Sequence, residues 1–268
     1  QGRGQFAALS ANNAIEGITK LVVGPLLILA GLSTEGAVAA ILIAMGVAFL
    51  VGFFPLRKLH RGEAEVFQVR QVYKYGLMLG VMLTSLTLFY TADVIIVKHF
   101  FDEVQAGYYA ALAILGKVLF FGSSSIGQVM FTKVVALRSE EKPHKHVFYK
   151  SALLVLLFVL PVLLVYFVFP DLVVNILFGS RYEEIVPLLG LFGIYMALFC
   201  FIYLFSYYFI SLKNSWKFIG LLVFFNIMEV YLLYQFHETL SQVIVVLIAL
   251  SLIFLIILYS LFARIKDA

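Results

Sequence analysis

Three ionisable side chains stand inside long apolar runs of this sequence: Asp93 in "TADVIIVKHF", Lys117 in "AILGKVLFF" and Glu229 in "NIMEVYLL". An ionised group at the middle of a bilayer costs about 2.5–3.5 kcal/mol on insertion scales, so such residues mark binding or transport sites by default. Asp93 lies about six residues, roughly 9 Å, inside the end of its run. Lys98 is five residues further on, roughly 140° away around a helix, and its stem can snorkel to the headgroups. Asp93 therefore needs a partner on another helix. Lys117 is the expected one, with Glu229 competing for it. Two readings stay open: an ion pair that fixes helix rotation, or a wet cavity where Lys117 holds an anionic headgroup while the acids take a proton or sodium ion. Glu16 and Lys20, four apart with the acid first, are expected to neutralise each other near the cytoplasmic end of their helix.

The other polar groups inside apolar runs are hydroxyls and amides: Ser123, Ser124 and Ser125 in "GSSSIG", then Gln128 and Asn226. The serine hydroxyls can bond to their own helix or to a neighbour's. No metalloprotease helix, nucleophile elbow, phosphate loop or cysteine pair is present. The lone Cys200 makes neither a disulfide nor a metal cage. The histidines of "HRGE" (60–63) and "HKH" (144–146) fall in charged loops, and "HFFDE" (99–103) is a weak metal pattern. The expectation is a protein that is not an enzyme, with no cofactor, no metal and no nucleic-acid partner.

The elements that carry these residues follow from composition. Of 268 residues, 63% are hydrophobic and 13% charged, and mean hydropathy is +1.04. Soluble domains run at about 45–50% and about 25%, so part of the solvent must be lipid. A helix needs about 20 apolar residues to cross the hydrocarbon. Eight runs qualify: 12–32, 35–55, 75–99, 106–132, 148–169, 186–211, 216–236 and 240–263. Barrel strands would be half as long and would alternate in polarity. The expected fold is all-α, a polytopic membrane helix bundle. A polar connection occupies 57–74, and 169–184 reads as a half-apolar hairpin loop.

With eight spans both termini share a side. Of the 19 basic residues, fifteen fall on that side, in clusters at 57–74 and 133–150, at Lys213 and Lys217, and near both ends; Lys98 and Arg181 fall opposite, and Lys20 and Lys117 within spans. Basic residues favour the cytoplasmic side, which puts both ends in the cytoplasm of a plasma or inner membrane.

Small residues every four positions (Gly36, Ala40, Ala44, Ala48, Gly52) make one face of the second span smooth enough for close helix approach. Gly76, Gly80 and Thr84 repeat the device on the third. Pro25 and Pro161 lie inside spans, where they bend helices and sometimes mark moving ones. The tyrosines, among them Tyr90, Tyr109, Tyr203 and Tyr208, are read mostly as interfacial belts.

Three stretches resemble a known family. "QGRGQFAALSANNAIEGITKLVVGPLLILAGLSTEGAVAA" is similar to the end of the first lobe of Wzx-type polysaccharide flippases, of the multidrug/oligosaccharidyl-lipid/polysaccharide exporter superfamily. "DVIIVKHFFDEVQAGYYAALAIL" resembles the start of their second lobe, and "NILFGSRYEEIVPLLGLF" its outer loop before the fourth helix. The resemblance implies two six-helix lobes around a cavity of alternating access. Residues 1–56 would close the first lobe, 57–74 would link the lobes, and 75–268 would be the whole second lobe. It implies export of a polyprenyl-diphosphate-linked oligosaccharide, with membrane lipids and the absent remainder of the first lobe as further partners. Lys117, Asp93, Glu229, Ser123–Ser125, Gln128 and Asn226 would line the cavity. On this reading the chain is a C-terminal fragment that would not transport alone. The rivals are a cation-coupled multidrug antiporter of the same superfamily and a membrane-embedded polymerase or glycosyltransferase, for which the outer loops hold few clustered polar groups.

Overall fold

The computed structural model describes residues 6–56, 69–212 and 216–265. All described elements are helices, as hydrocarbon demands of a chain that must pair its own backbone groups. They are α1 (Phe6–Leu27), α2 (Ser33–Leu56), α3 (Val69–Phe89), α4 (Ala92–Phe100), α5 (Glu103–Ser139), α6 (Lys145–Val168), α7 (Pro170–Phe178), α8 (Val186–Ile210), α9 (Trp216–Gln235) and α10 (Leu240–Ala263). Seven continuous helical stretches among the described residues are long and apolar enough to cross a membrane. The first, Ser10–Phe53, reverses at Gly31, whose φ of 93° suits only glycine without strain. It is thus two legs, α1 packed along α2, so the seven membrane-capable stretches carry the eight expected runs. The protein is an all-α, multi-pass membrane bundle.

Contacts divide the chain into two units, Gln1–Gln68 and Val69–Ala268. The first is the α1–α2 hairpin. Its small-residue face works as the spacing suggests: Ala40 and Ala44 are buried, and a Cβ at Gly24 would stand 3.9 Å from that of Ala40. The expected connection at 57–74 lies outside the described residues over 57–68, and from Val69 onward it is already helix.

The second unit makes six crossings. Aromatic contacts fix their ends. Phe148, Tyr208 and Phe262 meet at one end, where Phe209 also stacks on Phe218. Phe100 stacks on His237 and Tyr108 meets Tyr182 at the other. The α8 helix is apolar on every side and buried on nearly every side, packed against α3, α5, α6, α7 and α10. The α6 helix carries its apolar side chains mostly exposed, as a lipid-facing span would, and runs unbroken through Pro161.

Three expectations need correcting. The third span is not continuous: α3 ends at Phe89 and α4 starts at Ala92. The run at 169–184 is not a loop but the short helix α7, opened by Pro170 at its first position and closed by Gly179 at φ 81°. And Gly76, Gly80 and Thr84 pack no helix of the second unit, since nothing stands within 4 Å of a Cβ placed on either glycine. The small residues that do permit close approach here are elsewhere. A Cβ on Gly116 would collide with Phe192 and lie 2.6 Å from Met196, which is how α5 meets α8.

Gly116→Ala is expected to cost about 1–3 kcal/mol through overpacking. Gly107→Ala, with open space at its Cβ, should hold or raise stability. Thermal midpoints of the purified variants separate the two, and equal effects would contradict this close α5–α8 packing.

Candidate functional site

The break between α3 and α4 decides the geometry. An interrupted helix leaves carbonyls unpaired on one side and amides on the other, and in hydrocarbon each must find a substitute. Thr91 Oγ1 donates to the Thr87 carbonyl at 2.6 Å, and the Thr91 amide to that of Leu88 at 3.1 Å. The Phe89 carbonyl would have bonded the amide of Asp93 in an unbroken helix. It instead accepts from Tyr195 Oη of α8 at 2.6 Å.

Asp93 falls in the first turn of α4, where the positive end of the helix dipole favours a carboxylate. Its Oδ1 accepts from the Val94 amide at 2.8 Å and its Oδ2 from Tyr109 Oη of α5 at 2.7 Å. Asp93 and Tyr109 are fully enclosed. Glu229 of α9 is within electrostatic reach of Asp93, and is 0% exposed with no hydrogen-bond partner on either carboxylate oxygen. One turn before it on the same helix, Asn226 donates from Nδ2 to the Leu222 carbonyl at 2.8 Å, while its Oδ1 is buried without a partner. Ser251 Oγ on α10 is also buried and unpartnered.

These groups form one layer, as an aromatic layer beneath them shows. Phe89 stacks on Phe199 at 5.9 Å and tilts against Phe254 at 6.0 Å, and Phe254 stacks on Phe225 at 4.2 Å. One helical turn from each of these, toward the α4–α5 end, stand Asp93, Tyr195, Ser251 and Glu229. A rise of about 5.4 Å per turn places the last three at a common depth, and Asp93, across the break, lies within electrostatic reach of Glu229 and Tyr195. A cavity of about 260 Å³ opens beside the break, lined by Leu88, Ala92, Asn226, Ile227 and Val230. The layer therefore presents two carboxyls and further unpartnered oxygens above an apolar floor. Such a set can take up a proton or a small monovalent cation. No cluster of three or more His, Cys, Asp or Glu suited to a metal ion occurs among the described residues.

The other predicted residues fall elsewhere. Asp93 and Lys117 make no contact-distance ion pair, though Lys117 stays within electrostatic reach of the carboxylate: Tyr109 bonds the carboxylate, and Lys117, half-buried, lies over the Tyr90 ring at 5.5 Å from its centroid. Lys117 also borders a groove between α5 and α6 with Phe121, Gly122 and Phe158. Ser123 Oγ donates to the Leu119 carbonyl at 2.9 Å and Ser124 Oγ to that of Phe121 at 3.1 Å, so their own helix occupies these hydroxyls. Ser125 is exposed on another groove, and Gln128 contacts the Tyr203 hydroxyl. Glu16 and Lys20 do pair, on the first unit and partly exposed. A pair of this kind contributes about 0.3–0.5 kcal/mol.

Sequence reasoning missed Tyr195 and Ser251 and misread Tyr109, buried and bonded rather than interfacial. The available signal was a hydroxyl with only apolar neighbours in sequence, as in "GIYMALF" around Tyr195.

Comparison with known proteins gives one match. The model of a family described as "Polysaccharide biosynthesis protein" covers residues 3–187. No curated protein and no solved structure matches the chain.

Tyr109→Phe is expected to lower stability by about 1–3 kcal/mol, because it strands a buried carboxylate oxygen. Glu229→Gln removes no hydrogen bond and should leave the thermal midpoint unchanged or raised. A large loss in Glu229→Gln would mean that Glu229 has a structural partner.

Proposed function

Because the chain belongs to the polysaccharide biosynthesis protein family, we propose that it takes part in moving a lipid-linked oligosaccharide across the membrane in the making of a cell-surface polysaccharide. The observation that carries the mechanism is the buried layer of Asp93 and Glu229, which we assign to a coupling cation, proton or sodium ion. Discontinuous helices with unwound carbonyls and exposed half-helix ends are the usual means by which membrane transporters hold such ions. The α3–α4 break has this form.

Work at this site needs no covalent change, so no nucleophile is invoked. Taking or releasing the cation alters the charge at Asp93 and Glu229, on which the Tyr109 hydrogen bond between α4 and α5 depends. A change of charge there biases one packing of the bundle against another. In this reading Lys117 meets the diphosphate of the substrate, while Gln128, Asn226 and Ser125 meet its sugars. The first unit is the end of a first lobe, and the basic end of each unit faces the cytoplasm of the plasma or inner membrane, as fifteen basic residues against two suggest.

The test substitutes the chromosomal gene. Glu229→Gln and Asp93→Asn should lower surface polysaccharide by about tenfold, within the range of ordinary coupling energies, and leave lipid-linked oligosaccharide on the inner leaflet. Lys117→Ala should lower output with unchanged protein level. Normal output from Glu229→Gln at normal protein level would remove the carboxyl layer from the mechanism. Loss of drug efflux with normal polysaccharide would point to an antiporter.

A further inference from the structure

The groove between α5 and α6 at the basic end lies apart from the carboxyl layer and shares only Ser125, at its margin, with the residues assigned above to the substrate. It encloses about 640 Å³. Lys133 on α5 and Lys150 on α6 face it from opposite walls, with His146 one turn before Lys150. Lys133 lies six residues before the end of α5, and Lys150 five after the start of α6. At 1.5 Å per residue both stand roughly 8–9 Å inside the helix ends, at the same height. Deeper in the groove the walls turn apolar, through Val129 and Ile126 on one side and Leu154 on the other. No acid lines it. Neither lysine has an ion-pair partner among the described residues, whereas the nearby Lys142 is paired with Glu140 at 2.6 Å and held above the usual lysine range by it.

We propose that this groove is a binding site for an anionic phospholipid, with the phosphate between Lys133 and Lys150 and an acyl chain along Val129, Ile126 and Leu154. The order of chemistry along the groove, cations at the membrane edge and hydrocarbon within, is that of a phospholipid standing in its leaflet. Basic pockets between spans at the cytoplasmic face take such headgroups. The site is pre-shaped, because the turn joining α5 to α6 is pinned to α8. Arg138 donates to the Ser211 carbonyl at 2.9 Å, and the buried His144 ring bonds Tyr208 Oη at 2.8 Å. The leaflet rests on the sidedness proposed above, but the site itself does not.

Native mass spectrometry of the detergent-purified chain, titrated with phosphatidylglycerol, tests it. Phosphatidylglycerol should bind more tightly than phosphatidylcholine. The exposed pair Lys133→Gln/Lys150→Gln should weaken it about thirtyfold, from the usual contribution of two basic residues near an anionic headgroup. Lys142→Gln, with its partner already in place, should leave binding unchanged. Undiminished binding by the double variant, or no preference over phosphatidylcholine, overturns the proposal. So does selective binding of a polyprenyl diphosphate in place of phosphatidylglycerol, which would give the groove to the transported lipid. Because the readout is lipid binding and not export, failure of the transport reading leaves this result untouched.

Discussion

Inside hydrocarbon a backbone carbonyl without a donor costs as much as a buried polar side chain. The α3–α4 break creates such a carbonyl at Phe89, and Tyr195 of α8 satisfies it. The same break frees Asp93 from the middle of a helix and sets it at a helix start, where Tyr109 of α5 completes its bonding. Two tyrosine hydroxyls thus tie the two halves of the broken span to α8 and α5. Without them neither the interruption nor the buried carboxylate would be tolerated.

The aromatic layer beneath has a matching part. Phe89, Phe199, Phe225 and Phe254 come from four different helices and stack face to face or tilted. Such pairs contribute about 0.5–1.5 kcal/mol each beyond their buried area. They set an apolar layer on the basic-end side of the carboxyls. The α8 helix, apolar all round, is the post about which both layers are arranged.

Much of this was legible in the residues. Eight apolar runs of helical length, separated by charged or glycine-bearing turns, left little choice of fold class. The isolated acids Asp93 and Glu229 were conspicuous because charge is costly where they stand. Their partners were not. Lys117 was the obvious mate for Asp93 by sign and depth, yet a hydroxyl on the same helix, two turns nearer the membrane edge, took its place. Rotation around a helix axis decides which of the two faces Asp93, and apolar runs with no polar face carry no record of rotation. The helix break was hidden for the same reason: "LFYTADV" contains neither proline nor glycine, and threonine side chains rather than a breaker residue accommodate it.

Composition and spacing alone determined that the chain lives in a bilayer, how many times it crosses, and which rare groups are paid for in solvation free energy; these are sums over residues, indifferent to neighbours. Only the tertiary structure decided that Tyr195, Glu229 and Ser251 share one depth, that Tyr109 bonds Asp93, and that Glu229 is left without a donor. Those facts depend on how helices distant in sequence are rotated and raised against one another, and that is set by packing across the whole bundle.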